Sequence, residues 1–423
     1  MKLIEVEFTK IVGEGKALGR KNGKVVFAYG VIPGETAVIK VVVEKRNFIE
    51  GEVVEIKNIS PYRVNPIEDH FLSCSPWQII DYNKQIEYKK KLIEEHLIQT
   101  TKETILLNRF YPANNIFKYR TKIEYSFGEF EDKLHLTFHK RGDYSTKVKL
   151  QNGCALIDDE TNKIALSVLE KLREKKLNSS ILKTLIIRTS KRYNEKIITL
   201  FVKDKDFILD SYEDLNIIYS NPVSSISSVD EIIKKGKDFL TENICGMDFK
   251  YGFDCFFQNN IDLFEKAIYE IKNFIGFSPK IVDLYCGVGV IGICLGKLTD
   301  KLILVESNKS STRYASINAK INNLNNCEII NLEAESLNSS DFFDTDVLIV
   351  DPPRAGLHKK VIKNILKYLP KKIIYLSCNP ITQGRDLNFL LEKYFIKDAF
   401  GFDFYPNTPH MESLIFLERK GGR

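Results

Sequence analysis

The sequence predicts a mixed chain: a parallel α/β sheet with helices on both faces in its C-terminal part, a small all-β barrel at its start, and an α+β segment between them. Two patterns carry this reading. After Phe256, apolar runs of strand length (KIVDLYC, KLILVES, CEIINL, DVLIVDPP, KIIYLSC) alternate with helical stretches beginning near Gly292, Lys309, Ser336 and His358, as a sheet covered on both faces requires. Before Ser60, short β-type runs alternate with glycine turns (LIEVEFTKIV, GEGKALGRKNG, KVVFAYGVIPGE, TAVIKVVVEKRNFIEGEVVEI), which suits a five-stranded barrel of the OB type.

Size and composition agree with several domains. The chain has 423 residues, and roughly 100–200 residues per domain gives two or three. Hydrophobic residues make up 43% and charged ones 28%, ordinary globular usage, and no run approaches the roughly 18 apolar residues of a membrane span. The start MKLIEVEFTK has neither an apolar core nor a small-residue cleavage site, so a cytoplasmic protein is expected. Eight cysteines are scattered without CxxC pairs, which predicts reduced thiols and neither a disulfide framework nor a zinc knuckle. A net charge of +6 permits an anionic partner without demanding one.

The expected domains are 1–59, 60–255 and 256–423. In the first, Gly13, Gly15, Gly19 and Gly23 with Lys16, Arg20, Lys21 and Lys24 place positive charge on turns able to follow a phosphate backbone; a purely structural β module fits the same pattern. SPYRVNP from Ser60 breaks the β pattern, and DYNKQIEYKKKLIEEHLIQ after it has helical spacing. Residues 117–149 and 184–203 read as antiparallel strands with basic and aromatic residues alternating. Arg120, Lys122, Lys140, Arg141, Lys147 and Lys149 are candidate nucleic-acid contacts there, although the solvated face of a sheet reads much the same.

Chemistry gathers at the strand ends of the last domain. DLYCGVGVIG carries GxGxxG at Gly287, Gly289 and Gly292, with Glu306 ending the next strand. That fits a dinucleotide site. Carboxylates at Asp283, Glu306 and Asp351 around one crevice are a better match to a cationic ligand with a single ribose, S-adenosylmethionine. DPPRAGL follows the run VLIV, so Asp351 ends a strand and two prolines hold the next peptides extended. In YLSCNP, Cys378 ends a further strand at the start of a helix, whose amides favour a thiolate. A lone cysteine there is more often a small core residue. As a nucleophile, it would add to C6 of a pyrimidine and make C5 enolate-like, able to accept a methyl group. The C5 proton must then leave to a base, and Glu412 in PHMESLIFLER, beside His410, is the candidate.

FFQNN (256–260), DLYCGVG, VES (305–307), DPPRAGL, YLSCNP and PHMESL in this order resemble the RNA uracil-5-methyltransferases that act on ribosomal and transfer RNA. The resemblance covers nearly the whole chain: residues 1–59 look like a TRAM domain, residues 61–255 like the family's central domain, and 256–423 like a Rossmann-like class I methyltransferase domain. It implies Cys378 as nucleophile and Glu412 as proton acceptor, with Gln258, Tyr285, Glu306 and Asp351 around S-adenosylmethionine. Glu333 is a further pocket candidate, and Arg354 and Asn379 are supporting residues. It also implies that the helix near 84–112 packs with the catalytic domain. Many members with a TRAM domain hold an iron-sulfur cluster on three closely spaced cysteines and a fourth further on. Here Pro66, Leu72 and Ser75 stand at the three positions, Cys74 is one place off, and only Cys154 matches. No cluster is expected, and Cys154 reads as an ordinary core residue.

The resulting expectation is a monomeric enzyme that methylates C5 of a uridine in structured RNA, flipped into the crevice. The first target is 23S rRNA and the second the T-loop uridine of tRNA. An NAD-dependent oxidoreductase would leave Cys378 and the DPPR loop unexplained, and a non-catalytic RNA-binding protein would leave the Cys378 and Glu412 pair without a purpose.

Overall fold

The computed structural model describes residues 2–204, 207, 215–219, 231–233, 236–337 and 344–421. Five strands, β1 (Leu3–Ile11), β2 (Ala17–Lys21), β3 (Lys24–Tyr29), β4 (Glu35–Glu44) and β5 (Phe48–Asn58), close a barrel in the order β1-β2-β3-β5-β4. Period-two patterning fills it: Val6, Phe8, Ala17, Val26, Ala28, Ala37 and Ile39 are buried.

The barrel is joined to the rest through α1 (Phe71–Cys74) and α2 (Tyr82–Thr101). Asp81 caps α2, accepting from the amides of Asn83 and Lys84. The buried stripe Gln85, Lys89, Leu92, Ile93 and Leu97 has helical period, but two of its members are polar, so this face is committed to specific partners rather than to a generic apolar surface.

The central domain is a sheet in the order β13-β12-β11-β10-β7-β8-β9. Its strands are β7 (Lys122–Phe130), β8 (Lys133–Lys140), β9 (Asp143–Lys149), β10 (Leu182–Ser190), β11 (Glu195–Val202), β12 (Leu215–Tyr219) and β13 (Glu231–Ile233). Helix α3 (Asp159–Glu174) packs Ala165, Val168, Leu169 and Leu172 into one core with Ile123, Tyr125, Leu136 and Leu185. The hairpin β14 (Phe239–Ile244) and β15 (Met247–Gly252) follows.

The last sheet has the order β18-β17-β16-β19-β20-β22-β21-β6. β16 (Lys280–Leu284), β17 (Lys301–Glu306), β18 (Cys327–Asn331), β19 (Val347–Val350) and β20 (Lys372–Ser377) pair in parallel. β22 (Glu412–Arg419) runs antiparallel between β20 and β21 (Tyr394–Phe402), and the early strand β6 (Arg109–Tyr111) adds to the far edge. The helices are α4 (Ile261–Ile275), α5 (Val290–Leu295), α6 (Lys309–Ile321), α7 (Lys359–Tyr368) and α8 (Pro380–Leu390). The expected fold, a doubly wound α/β domain with an N-terminal five-stranded barrel, is the one observed. Helix α2 lies on α8, and Gly384 allows the approach, since a Cβ there would sit 2.9 Å from that of Thr100. Among the described residues no helix is long and apolar enough to cross a membrane.

Candidate active site

The carboxyl ends of β16, β17, β19 and β20 open on one crevice, the place where ligands gather in such sheets. Behind β16, Gly289 takes φ +87° at the start of α5, and a Cβ on Gly292 would lie 2.4 Å from Leu304, so both glycines are needed for the turn and for helix–strand contact. The Gly292 amide donates to Asp283 Oδ2 at 3.0 Å, and the Gly287 amide to Glu306 Oε2 at 3.0 Å. Tyr285 is held at φ +63°, an uncommon conformation for a side chain of its size.

The acids around the crevice are unevenly satisfied. Asp283 is 1% exposed and its Oδ1 has no hydrogen-bond partner; Gln258 Oε1, also buried, has none either. Burial pushes the Asp283 carboxyl up to about 8, with the Asp351 and Glu306 charges adding to the effect against the Gly292 amide. Burial raises Asp351 to about 7. Glu306 accepts from the Asn308 amide at 2.7 Å, and Glu333 stands exposed just beyond β18.

Cys378 and Glu412 come together through sheet register. Ser377 pairs with Ser413 at the end of the antiparallel β20–β22 ladder, so one step further places Cys378 beside Glu412. Asn379 explains the residues after the thiol: its side chain accepts from the Ile381 amide to cap α8 and donates to Arg354 O at 3.0 Å, tying the cysteine turn to the DPPR loop. Pro380 is the first helical residue, where its missing N–H costs nothing. Glu412 is 3% exposed, and burial, then Asp351, pushes its carboxyl well above the usual range. Arg354 donates to His410 Nδ1 at 3.0 Å. Burial, followed by Arg354, Arg141, Arg120 and Lys89, drives the His410 imidazole down to about 3.

One expectation needs correcting. The helix start was to favour the Cys378 thiolate, but burial, Glu412 and Asp351 push the thiol up to about 11, with Arg354 opposing them. Desolvation and like charge outweigh the first turn of one helix.

A family model described as tRNA (Uracil-5-)-methyltransferase matches residues 81–420. The chain belongs to that family. Among similar chains, a Bacteroides thetaiotaomicron protein called an uncharacterized RNA methyltransferase is 30% identical over 455 residues, spanning 96% of this chain and 100% of that one. A Caldanaerobacter subterraneus protein of the same description is 30% identical, spanning 99% of each chain. The fold aligns with the crystal structure of Pyrococcus abyssi tRNA (uracil-54, C5)-methyltransferase in complex with S-adenosyl-L-homocysteine, at TM-score 0.78 and 24% identity, over 98% of this chain and 100% of that one.

Sequence reasoning missed the residues that hold the candidate site of this uracil-5-methyltransferase family member in place. Asp386, fully buried on α8, accepts from Tyr375 Oη and the Leu357 amide, both at 2.7 Å, and so fixes the far end of DPPRAGL. Gln383 donates to Tyr375 O at 3.0 Å and accepts from Ser413 Oγ at 2.6 Å, fixing the start of β22. Lys89 Nζ on α2 donates to Asp403 at 2.5 Å and to Tyr405 O at 2.9 Å, anchoring the loop that leads to Glu412. The available signal was polar residues on otherwise apolar helix faces. Several basic residues proposed as nucleic-acid contacts are instead engaged within the protein: Lys140 pairs with Glu52 of the barrel, Arg141 donates to Leu72 O at 3.2 Å, and Lys147 donates to Phe127 O.

Proposed function

We propose that this enzyme transfers a methyl group from S-adenosylmethionine to C5 of a specific uridine in 23S rRNA, with Cys378 as nucleophile and Glu412 as base. The observation that carries the reading is the β20–β22 register, which sets a thiol and a buried carboxyl side by side at the mouth of the crevice.

The residues present fit the methyl donor. Gln258 and Asp283 each offer a buried acceptor without a partner, Glu306 ends a strand as a ribose-binding acid does, Asp351 supplies negative charge, and Tyr285 lines the same turn. An added Cβ at Gly287 would meet nothing within 4 Å, so backbone faces open space there. Bound S-adenosylmethionine supplies an electrophilic methyl group.

The chain's own residues do the rest. Cys378 Sγ, as thiolate, forms a bond to uracil C6 while the C5–C6 π electrons move to C5 and O4. Arg354, already within hydrogen-bond reach of His410, adds positive charge beside this centre. After C5 gains its methyl group, Glu412 takes the C5 proton. Those electrons re-form the C5–C6 double bond and the C6–S bond breaks, returning the thiolate. Burial serves both steps by keeping water away from the adduct.

The resemblance of the barrel to a TRAM domain favours ribosomal RNA. The T-loop uridine of tRNA is the second reading, favoured by the family description and by the tRNA substrate in the name of the Pyrococcus abyssi enzyme. We place the enzyme in the cytoplasm as a monomer acting on structured RNA. Mapping 5-methyluridine in ribosomal and transfer RNA from cells with and without the gene decides between targets. A stable complex with RNA carrying 5-fluorouridine is expected, because fluorine cannot leave as a proton; its absence with either RNA refutes the covalent route.

A further inference from the structure

Away from the crevice, the link between barrel and α2 brings a second set of donor atoms against the central sheet. One ligand atom each from Glu68, His70, Cys74 and Cys154 lies within 4.8 Å of the other three. His70 is 7% exposed, and its Nε2 is buried without a hydrogen-bond partner, although Glu68 Oε2 lies 3.3 Å away out of line. Its ring is held against Phe138 at 5.6 Å. Cys154 is 3% exposed at the head of the segment leading into α3, and Cys74 ends α1. Glu68 is fixed by the Ala155 amide at 2.8 Å on one oxygen and by Gln78 Nε2 at 2.8 Å on the other. A carboxylate so placed keeps lone pairs for a further partner.

A four-iron cluster takes four cysteine thiolates in the common case. This quartet supplies two, so a four-iron cluster does not fit. Two sulfurs, an imidazole and a carboxylate are instead the mixed donors of a single tetrahedral zinc ion. Bonds of about 2.0–2.3 Å put tetrahedral ligand atoms roughly 3.3–3.8 Å apart, so the four need close by only about an ångström. No spacing motif announces this set, because the fold, not the local chain, assembles it.

We infer that Glu68, His70, Cys74 and Cys154 bind one zinc ion that clasps the segment between barrel and α2 to the central sheet. The ion is structural, since it closes a long loop and none of its four ligands is among the crevice residues.

The test uses the full-length protein, reduced and stripped of metal. Titration with zinc against a chromophoric chelator is expected to give one ion per chain and a higher thermal midpoint. Cobalt(II) is expected to give the intense visible bands of a tetrahedral site and a sulfur-to-cobalt charge-transfer band, both abolished by zinc. Cys154→Ser should weaken binding at least about a hundredfold and remove most of the charge-transfer intensity, with His70→Ala weakening it while leaving that intensity. The cobalt spectrum of the unaltered chain keeps the test valid if a variant fails to fold. The inference is overturned by no stoichiometric uptake, by an octahedral cobalt spectrum without a sulfur band, by binding that survives both substitutions, or by uptake of four irons with sulfide.

Discussion

Cys378 and Cys154 are two thiols with a carboxylate nearby, one at the rim of the C-terminal sheet and one beneath the central sheet, and their surroundings drive them in opposite directions. At Cys378, burial and the Glu412 and Asp351 carboxylates favour the neutral thiol, raised to about 11. At Cys154, the neighbouring Cys74 favours the thiolate against burial. Yet Cys154 is 3% exposed while Cys378 is partly open to the crevice. Acidity alone would therefore point to Cys154 and not to Cys378, the proposed nucleophile. What distinguishes Cys378 is access, together with the Glu412 carboxyl set beside it by register; what distinguishes Cys154 is enclosure among donors suited to a cation.

The largest effect that would break this contrast lies at Cys378. Cys378→Ser should lower methyl transfer at least about 10⁴-fold, measured as tritiated methyl incorporation into RNA, with donor binding retained. Serine at Cys154 should instead cost thermal stability. Parental turnover in folded Cys378→Ser protein would remove the reason for treating the two thiols differently.

Next in size is Glu412→Gln. On the proposed mechanism this removes the base, so elimination should slow by about 10²–10⁴-fold while thiol addition persists. A covalent protein–RNA species should therefore accumulate on ordinary uridine RNA, visible as a retarded band on a denaturing gel. Loss of turnover without any adduct would move Glu412 from proton removal to an earlier step.

How much of this was legible in the sequence follows from what each feature depends on. The strands of the last sheet are unbroken apolar runs such as Val347–Val350, and the barrel strands alternate, so local period revealed both. Cys378 and Glu412 were proposed by asking what chemistry a strand-end thiol requires, and the β20–β22 register sets the two side by side. The anchors Lys89, Gln383 and Asp386 act across segments far apart in the chain; Lys89 meets Asp403, with both side chains wholly buried. No local pattern announces such a pairing. The Glu68–Cys154 quartet was hidden for the same reason, and Cys154 read as core because it is buried.

A smaller effect sharpens the contrast in the resting enzyme. Below its pKa, the thiolate fraction of Cys378 rises about tenfold per pH unit. Alkylation of Cys378 by iodoacetamide, followed by mass spectrometry, should therefore accelerate about tenfold per unit from pH 7 to 10, whereas Cys154 in the native protein should stay unmodified because reagent cannot reach it. A rate that levels off near pH 8 would mean that Arg354 outweighs the two carboxylates.

The smallest expected effect concerns the acids behind Cys378. Asp283 and Asp351 are raised to about 8 and about 7, so the folded protein keeps protons that the unfolded chain loses near pH 4. Their contribution to stability is complete below that pH and is lost as pH rises through 7 and 8. A cationic ligand reverses the penalty by favouring the ionised carboxylates, which must then release protons. S-adenosylmethionine should accordingly bind a few fold more tightly at pH 8 than at pH 6. Calorimetry in two buffers of different ionisation enthalpy should register net proton release near pH 7. Net uptake would show that these buried carboxyls stay protonated in the complex, and that the crevice holds its ligand by hydrogen bonds instead of by charge.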